Sequence, residues 1–284
     1  MWDNQSGNWT TVITPEGGSI RSDLKELWQY RGLIRMFVKK DYKTMYAQTL
    51  LGPLWLILTA VLSSLVMTLV FGEIAELSTD GVPRFLFYLL GNILWMDFQG
   101  CVSKVAGTFL SYSGLMGKVY FPRLCVPIAS VLSRQFQFAV QMLIFLGVYA
   151  YFLFNGSSLQ CRWYILLMPL LLLQMLLLAL GVGLIFTSLT VRFRDLSVVL
   201  TFILQFWMYA TPVVYPVSQI PDGLKTLLML NPMASVVETA RFIWFGSGTY
   251  QPGYLLISAG MTVMVLAVAV RIFQRAQRNF TDTV

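Results

Sequence analysis

From Trp163 to Val191 the chain carries no charged residue, and within that run stand Leu170–Leu173 and Leu176–Leu178. A helix needs about 20 apolar residues to cross a bilayer, and no water-soluble core asks for an unbroken run of this kind. That one stretch fixes the solvent. The chain folds in lipid, where only helices and closed barrels satisfy every backbone polar group. Composition agrees: 57% of residues are hydrophobic and 12% charged, about half the charged share usual in a soluble domain.

The same criterion predicts an all-α membrane protein with six transmembrane helices, at about 50–71, 85–103, 125–154, 164–190, 196–214 and 254–270. Pro53 falls in the opening turn of the first, where its missing N–H costs least. The fifth ends at Pro212 and Pro216. Two spans carry a charge, Asp97 in the second and Arg134 in the third. Orientation follows from Lys and Arg, which crowd cytoplasmic segments. With both ends inside, fifteen of them fall on the cytoplasmic side and four outside, namely Arg84, Arg162, Lys225 and Arg241. The +7 formal charge is therefore a topology signal and not a nucleic-acid stripe.

Three segments are not simple spans. After a polar leader at 1–22, residues 23–46 read as an amphipathic interface helix. Leu24, Leu27, Trp28, Ile34, Phe37, Val38, Met45 and Tyr46 recur at helical spacing among basic residues. Asp23 and Glu26 suit its start. Such a helix is expected along the inner leaflet, its apolar face in the acyl boundary and its cations at headgroups. The cytoplasmic connection Ser111–Pro127 is too short for a domain, yet it sets Val119, Tyr120 and Phe121 between Lys118 and Arg123. Exposed aromatics beside cations suit a docking surface; they could equally mark the membrane interface. The stretch 216–248 holds two apolar halves around Asn231-Pro232, each too short to cross about 30 Å of hydrocarbon. A short external helical hairpin dipping into the membrane is expected there, with Pro216, Asn231, Pro232, Glu238 and Arg241 as candidate gate residues. A lid lying flat on the bilayer is the alternative.

Little enzymatic chemistry is legible. The chain has no histidine, which removes His-based acid–base and nucleophilic schemes. Cys101, Cys125 and Cys161 lack CxxC spacing and read as packing residues, so no metal site is expected. No GxxxxGK[ST], HExxH or GxSxG occurs, so no nucleotide or other cofactor is expected in this chain. Asp97 is read either as a substrate-path carboxylate or as half of an interhelical pair with Arg134, the second being favoured. Trp95 and Phe98 flank it, and Phe206, Trp207 and Tyr209 sit in the fifth span. Aromatic faces of this kind can hold sugar rings loosely along a path, or simply pack.

Several short motifs stand in order: Lys39-Lys-Asp-Tyr-Lys43, Gln48-Thr-Leu-Leu-Gly-Pro-Leu-Trp55, Leu69-Val-Phe-Gly72 and Lys118-Val-Tyr-Phe-Pro-Arg123 with Pro127. They are followed by Val191-Arg-Phe-Arg-Asp195, Thr211-Pro-Val-Val-Tyr-Pro216, Asn231-Pro232 and Arg275-Ala-Gln-Arg-Asn-Phe280. The ordered set resembles the permease subunit of bacterial type-2 ABC exporters of polysaccharide or polyol phosphate, which carry O-antigen, capsule or teichoic acid. The resemblance implies a homodimeric channel in the bacterial inner membrane and a lipid-linked polysaccharide as cargo. It also implies two copies of a separate ATP-binding subunit, which would hold the ATP and Mg. Lys118, Val119, Tyr120, Phe121, Pro122 and Arg123 would then couple to that ATPase, with the interface helix beside them. A drug or small-lipid exporter of the same architecture is the nearest rival. A membrane-embedded glycosyl- or acyltransferase is the rival from another class, disfavoured by the missing histidine and the lack of an Asp-rich metal motif.

Overall fold

The computed structural model describes residues 27–46, 52–116, 121–156, 163–190, 193 and 195–280. All regular structure among them is helical. In chain order the helices are α1 (Arg31–Tyr46), α2 (Gly52–Met67), α3 (Arg84–Ala106), α4 (Thr108–Met116) and α5 (Cys125–Phe154). They continue with α6 (Met168–Thr190), α7 (Leu196–Tyr209), α8 (Asp222–Met229), α9 (Pro232–Phe245) and α10 (Pro252–Phe280). A π-helical stretch, Thr68–Ile74, prolongs α2, and 3₁₀ turns stand at Trp163–Leu167 and Val217–Gln219.

Among the described residues, five helical segments are long and apolar enough to cross a membrane: Leu54–Ile74, Arg84–Ala106, Cys125–Phe154, Tyr164–Thr190 and Pro252–Ala276. The predicted fifth span is different. α7 has 14 residues, about 21 Å at 1.5 Å per residue, which is short of about 30 Å of hydrocarbon. It stops at Tyr209 and not at Val214 because Pro212 cannot continue it. Proline has no N–H to donate, and its ring would strike the carbonyl of Met208. The last helix departs in the other direction, running to Phe280, past the predicted end at Val270.

α3 is the axis of the bundle. From Leu86 to Trp95 every residue is buried, so every face of the helix is covered. It packs against α2, α5, α6, α7 and α9. This explains why the least apolar of the five long spans is the innermost: a helix sheathed by protein can carry Asn92 and Asp97 where a lipid-facing one could not. Asn92 donates to Ser63 Oγ at 2.6 Å and Ser64 Oγ at 3.0 Å, tying α3 to α2.

Close approach elsewhere depends on small residues. A Cβ on Gly183 of α6 would lie 2.6 Å from Val105 Cβ, and one on Gly181 would lie 3.2 Å from the Leu266 backbone. Successive glycines thus seat α6 against α3 on one side and α10 on the other.

α1 differs from the sequence expectation in what covers its apolar face. Phe37 is 2% exposed, in a cluster with Leu27, Tyr112, Phe121, Cys125, Val126 and Ala129. Its ring meets Tyr112 edge-on at 5.5 Å and Phe121 at 5.8 Å. Protein therefore stands where acyl chains were expected, because Tyr112 of α4, Phe121 and the small apolar residues that open α5 meet the same stripe. Trp28 and Met36 remain outward, beside exposed Arg31, Arg35 and Lys39. Asp23 and Glu26 lie outside the described residues.

Candidate functional site

The N–H groups of Ala210 and Thr211 still bond back to α7, but the carbonyls of Pro212, Val213 and Tyr215 lie beyond the break and have no place in a helix. Unpaired backbone in a membrane protein must be satisfied by protein or by a wet cavity. Arg241 of α9 does this. Its guanidinium is 1% exposed and donates from Nη1 to Pro212 O at 2.6 Å and Tyr215 O at 3.3 Å, and from Nη2 to Val213 O at 2.7 Å. Nη1 also meets Glu238 Oε1 at 2.9 Å, one turn back on the same helix. Glu238 Oε2 in turn accepts from the Thr249 N–H at 3.0 Å. The guanidinium carbon lies 3.6 Å from the centre of the Phe87 ring, and a Cβ on Gly91 would come within 3.2 Å of Nη2. Both belong to α3, which thus forms the floor of this clamp.

Asn231 makes the second stitch. Its Oδ1 caps α9 by accepting from the Met233 N–H at 3.1 Å, and also accepts from Trp207 Nε1 at 3.0 Å. Its Nδ2 donates to Ala210 O and Thr211 Oγ1. One side chain thereby starts α9 and ties the α8–α9 pair to the end of α7. Pro232 follows at the first helical position, where proline fits. Pro216 is buried beside this network.

The candidate path residues divide. Trp95 and Phe98 are 1% and 0% exposed, and they pack with half-buried Trp207, whose ring centre lies 5.3 Å from that of Phe98. Asp97 is also buried; its Oδ1 lies 3.7 Å from Arg134 Nε, and its Oδ2 accepts from Gln135 at 3.3 Å. Arg134 further donates to Met96 O at 2.9 Å, in a slot that exists because Gly100 has no side chain. Asp97 is therefore half of an interhelical pair. Trp95, Asp97 and Phe98 are enclosed by helices of their own chain, whereas Phe206 and Tyr209 are 71% and 51% exposed.

Of the coupling segment, Lys118, Val119 and Tyr120 lie outside the described residues. Phe121 was expected to be displayed and is instead buried against Phe37. It anchors α1, since an aromatic ring gains more from that apolar cluster than from water. Pro122 and Arg123 are half-buried.

A polar junction that sequence reasoning missed lies beneath α1. Asp41 Oδ2 pairs with Lys104 Nζ at 2.9 Å, and Oδ1 accepts from the Tyr112 hydroxyl at 2.5 Å. Ser133 Oγ stands 3.3 Å from Oδ2. Burial pushes the Asp41 carboxyl up, but the bonds from Tyr112 and Lys104 more than offset it and hold the group below its ordinary value. Tyr112 is pushed up, by burial first and then by its bond to the Asp41 charge. The available signal was a single acid in an otherwise basic helix. Among the described residues no cluster of three or more His, Cys, Asp or Glu could hold a metal ion.

Five long apolar helices around buried charge pairs define a multi-pass membrane protein. Sequence comparison gives the lineage: the chain belongs to the ABC-2 type transporter family, whose model matches residues 32–245. It is 29% identical over 265 residues to the O-antigen export system permease protein RfbA of Myxococcus xanthus, covering 92% of this chain and 98% of that protein. An RfbA of Klebsiella pneumoniae is 24% identical over 88% of this chain and 94% of its own length. The polysialic acid transport protein KpsM of Escherichia coli is 26% identical over 81% of this chain and 84% of its own.

Proposed function

We propose that this chain is the membrane-embedded permease of an ATP-driven exporter that moves a lipid-linked polysaccharide out across a bacterial inner membrane. The observation that carries the reading is similarity along nearly the whole chain to permeases named for O-antigen export, with a polysialic acid transporter among the further relatives. The exposed face of α7 supports it. Thr201, Gln205 and Tyr209 follow one another at intervals of four, with Phe202 and Phe206 alongside, and all are exposed. Polar groups on an uncovered apolar helix are costly against hydrocarbon, whereas hydroxyls, an amide and aromatic faces suit passing sugar rings.

A second copy of the chain would face α7 and close a path lined by Phe206 and Tyr209. α7 with residues 210–214 would make the sixth crossing, both termini lying in the cytoplasm. The α8–α9 hairpin, held by Asn231, Glu238 and Arg241, would be the outer gate. ATP and Mg would be held by two copies of a separate ATPase docked near Lys118–Arg123.

The test is export from cells carrying Lys118→Glu, with membrane insertion and co-purification of the ATPase followed in parallel. Insertion is expected to persist while surface polysaccharide disappears and the lipid-linked glycan accumulates inside. Normal glycan export in a strain deleted for this chain would overturn the reading, as would ATP turnover that responds to drugs and not to the glycan.

A further inference from the structure

Asp41 joins four elements at one carboxylate: α1 by the chain, α3 through Lys104, α4 through Tyr112 and α5 through Ser133. It is the only acid in α1, and Lys104 is the basic residue in the last turn of α3. The junction stands in a cleft of about 400 Å³ lined also by Lys40 and Arg134. A pair locked in a packed core cannot exchange partners, but Lys104, 36% exposed at its side chain, has room to do so. Lys40 lies 4.6 Å from the Tyr112 ring centre, a second cation lining the same cleft.

α3 extends from this junction as a continuous helix of 23 residues, about 35 Å long. Further along it, Trp95 and Phe98 pack on Trp207, and Phe87 and Gly91 form the floor under Arg241. One rigid element thus touches the interface helix at one end and the stitched break and hairpin at the other.

We infer that Asp41 is the positioning residue through which displacement of α1 is passed to α3, and that α3 carries it to the Arg241 clamp. This rests on the permease reading, in which a separate ATPase moves the cytoplasmic side. Energetic coupling between distant sites needs an element that both ends bias, and α3 is ion-paired to one and packed against the other.

The experiment co-expresses the chain with its ATPase and measures ATP turnover and glycan export on the same membranes. Asp41→Asn and Lys104→Gln are expected to keep ATP turnover while export falls about tenfold, a loss in the range of a coupling free energy. Asp41→Glu, which keeps the charge, is expected to retain export. Tyr112→Phe, which deletes one bond and no charge, gives an intermediate loss and serves if the other variants fail to assemble. Export by Asp41→Asn at the wild-type level overturns the inference. So does a parallel fall of turnover and export in an assembled complex. A wild-type complex that exports no glycan overturns the permease reading along with it; a working exporter indifferent to Asp41 sinks the junction alone.

Discussion

Arg241 does two things at once from a buried position. It neutralises Glu238 and satisfies three carbonyls that the proline-broken chain leaves open. Arg241→Gln leaves a buried carboxylate unpaired and is expected to cost about 3–5 kcal/mol. Glu238→Gln added to it restores part of that loss, and thermal unfolding in detergent measures both. Asp41 gives a pH signature. A carboxyl held below its unfolded value contributes stability that is present above about pH 3.9 and lost as pH falls through the lower folded value. The melting temperatures of wild type and Asp41→Asn should therefore differ near neutrality and converge only in stronger acid. Tyr112 stays protonated well into alkali, so the junction is not expected to open there. Sequence reading named Asn231, Glu238 and Arg241 as candidate gate residues because they lie in the apolar segment around Asn231-Pro232 that is too short to span. It missed Asp41–Lys104, whose partners are 63 positions apart in the chain and share no local pattern.

At the scale of elements, hydrophobic run length located the spans, and the limits of the fifth and sixth show why it is an imperfect guide. Apolarity continues from Tyr209 to Val214 although helicity does not, because proline chemistry and not hydropathy ends a helix. Beyond Val270 the reverse holds: Arg271 and Arg275 leave the apolar zone but keep helical backbone. Amphipathicity marked α1 correctly as two-faced, yet a periodic apolar stripe does not say whether lipid or protein will cover it. Glycine contacts were equally invisible, since nothing local separates Gly183 from a glycine in open space such as Gly147. Gly183→Ala is expected to force α6 and α3 apart and to cost about 1–3 kcal/mol. Gly147→Ala, with nothing within 4 Å of the new methyl, should hold thermal stability or raise it slightly, since alanine favours the helix.

Across the whole molecule, all-helical membrane architecture was legible from composition, and the family from ordered motifs, because both are written along the chain. The inward position of α3 was not, because it depends on which helices surround it. That sheathing has a consequence for biogenesis. Asn92 finds Ser63 and Ser64 on a segment already synthesised, but Asp97 must await Arg134 and Gln135, which leave the ribosome later. The least greasy of the long spans is then a poor passenger for the translocon by itself and depends on its successor for a settled berth. Cys101, buried on α3 in the finished fold, should react with a water-soluble thiol reagent in nascent chains arrested before α5 and be protected in chains that include it, as labelling of arrested membranes would reveal.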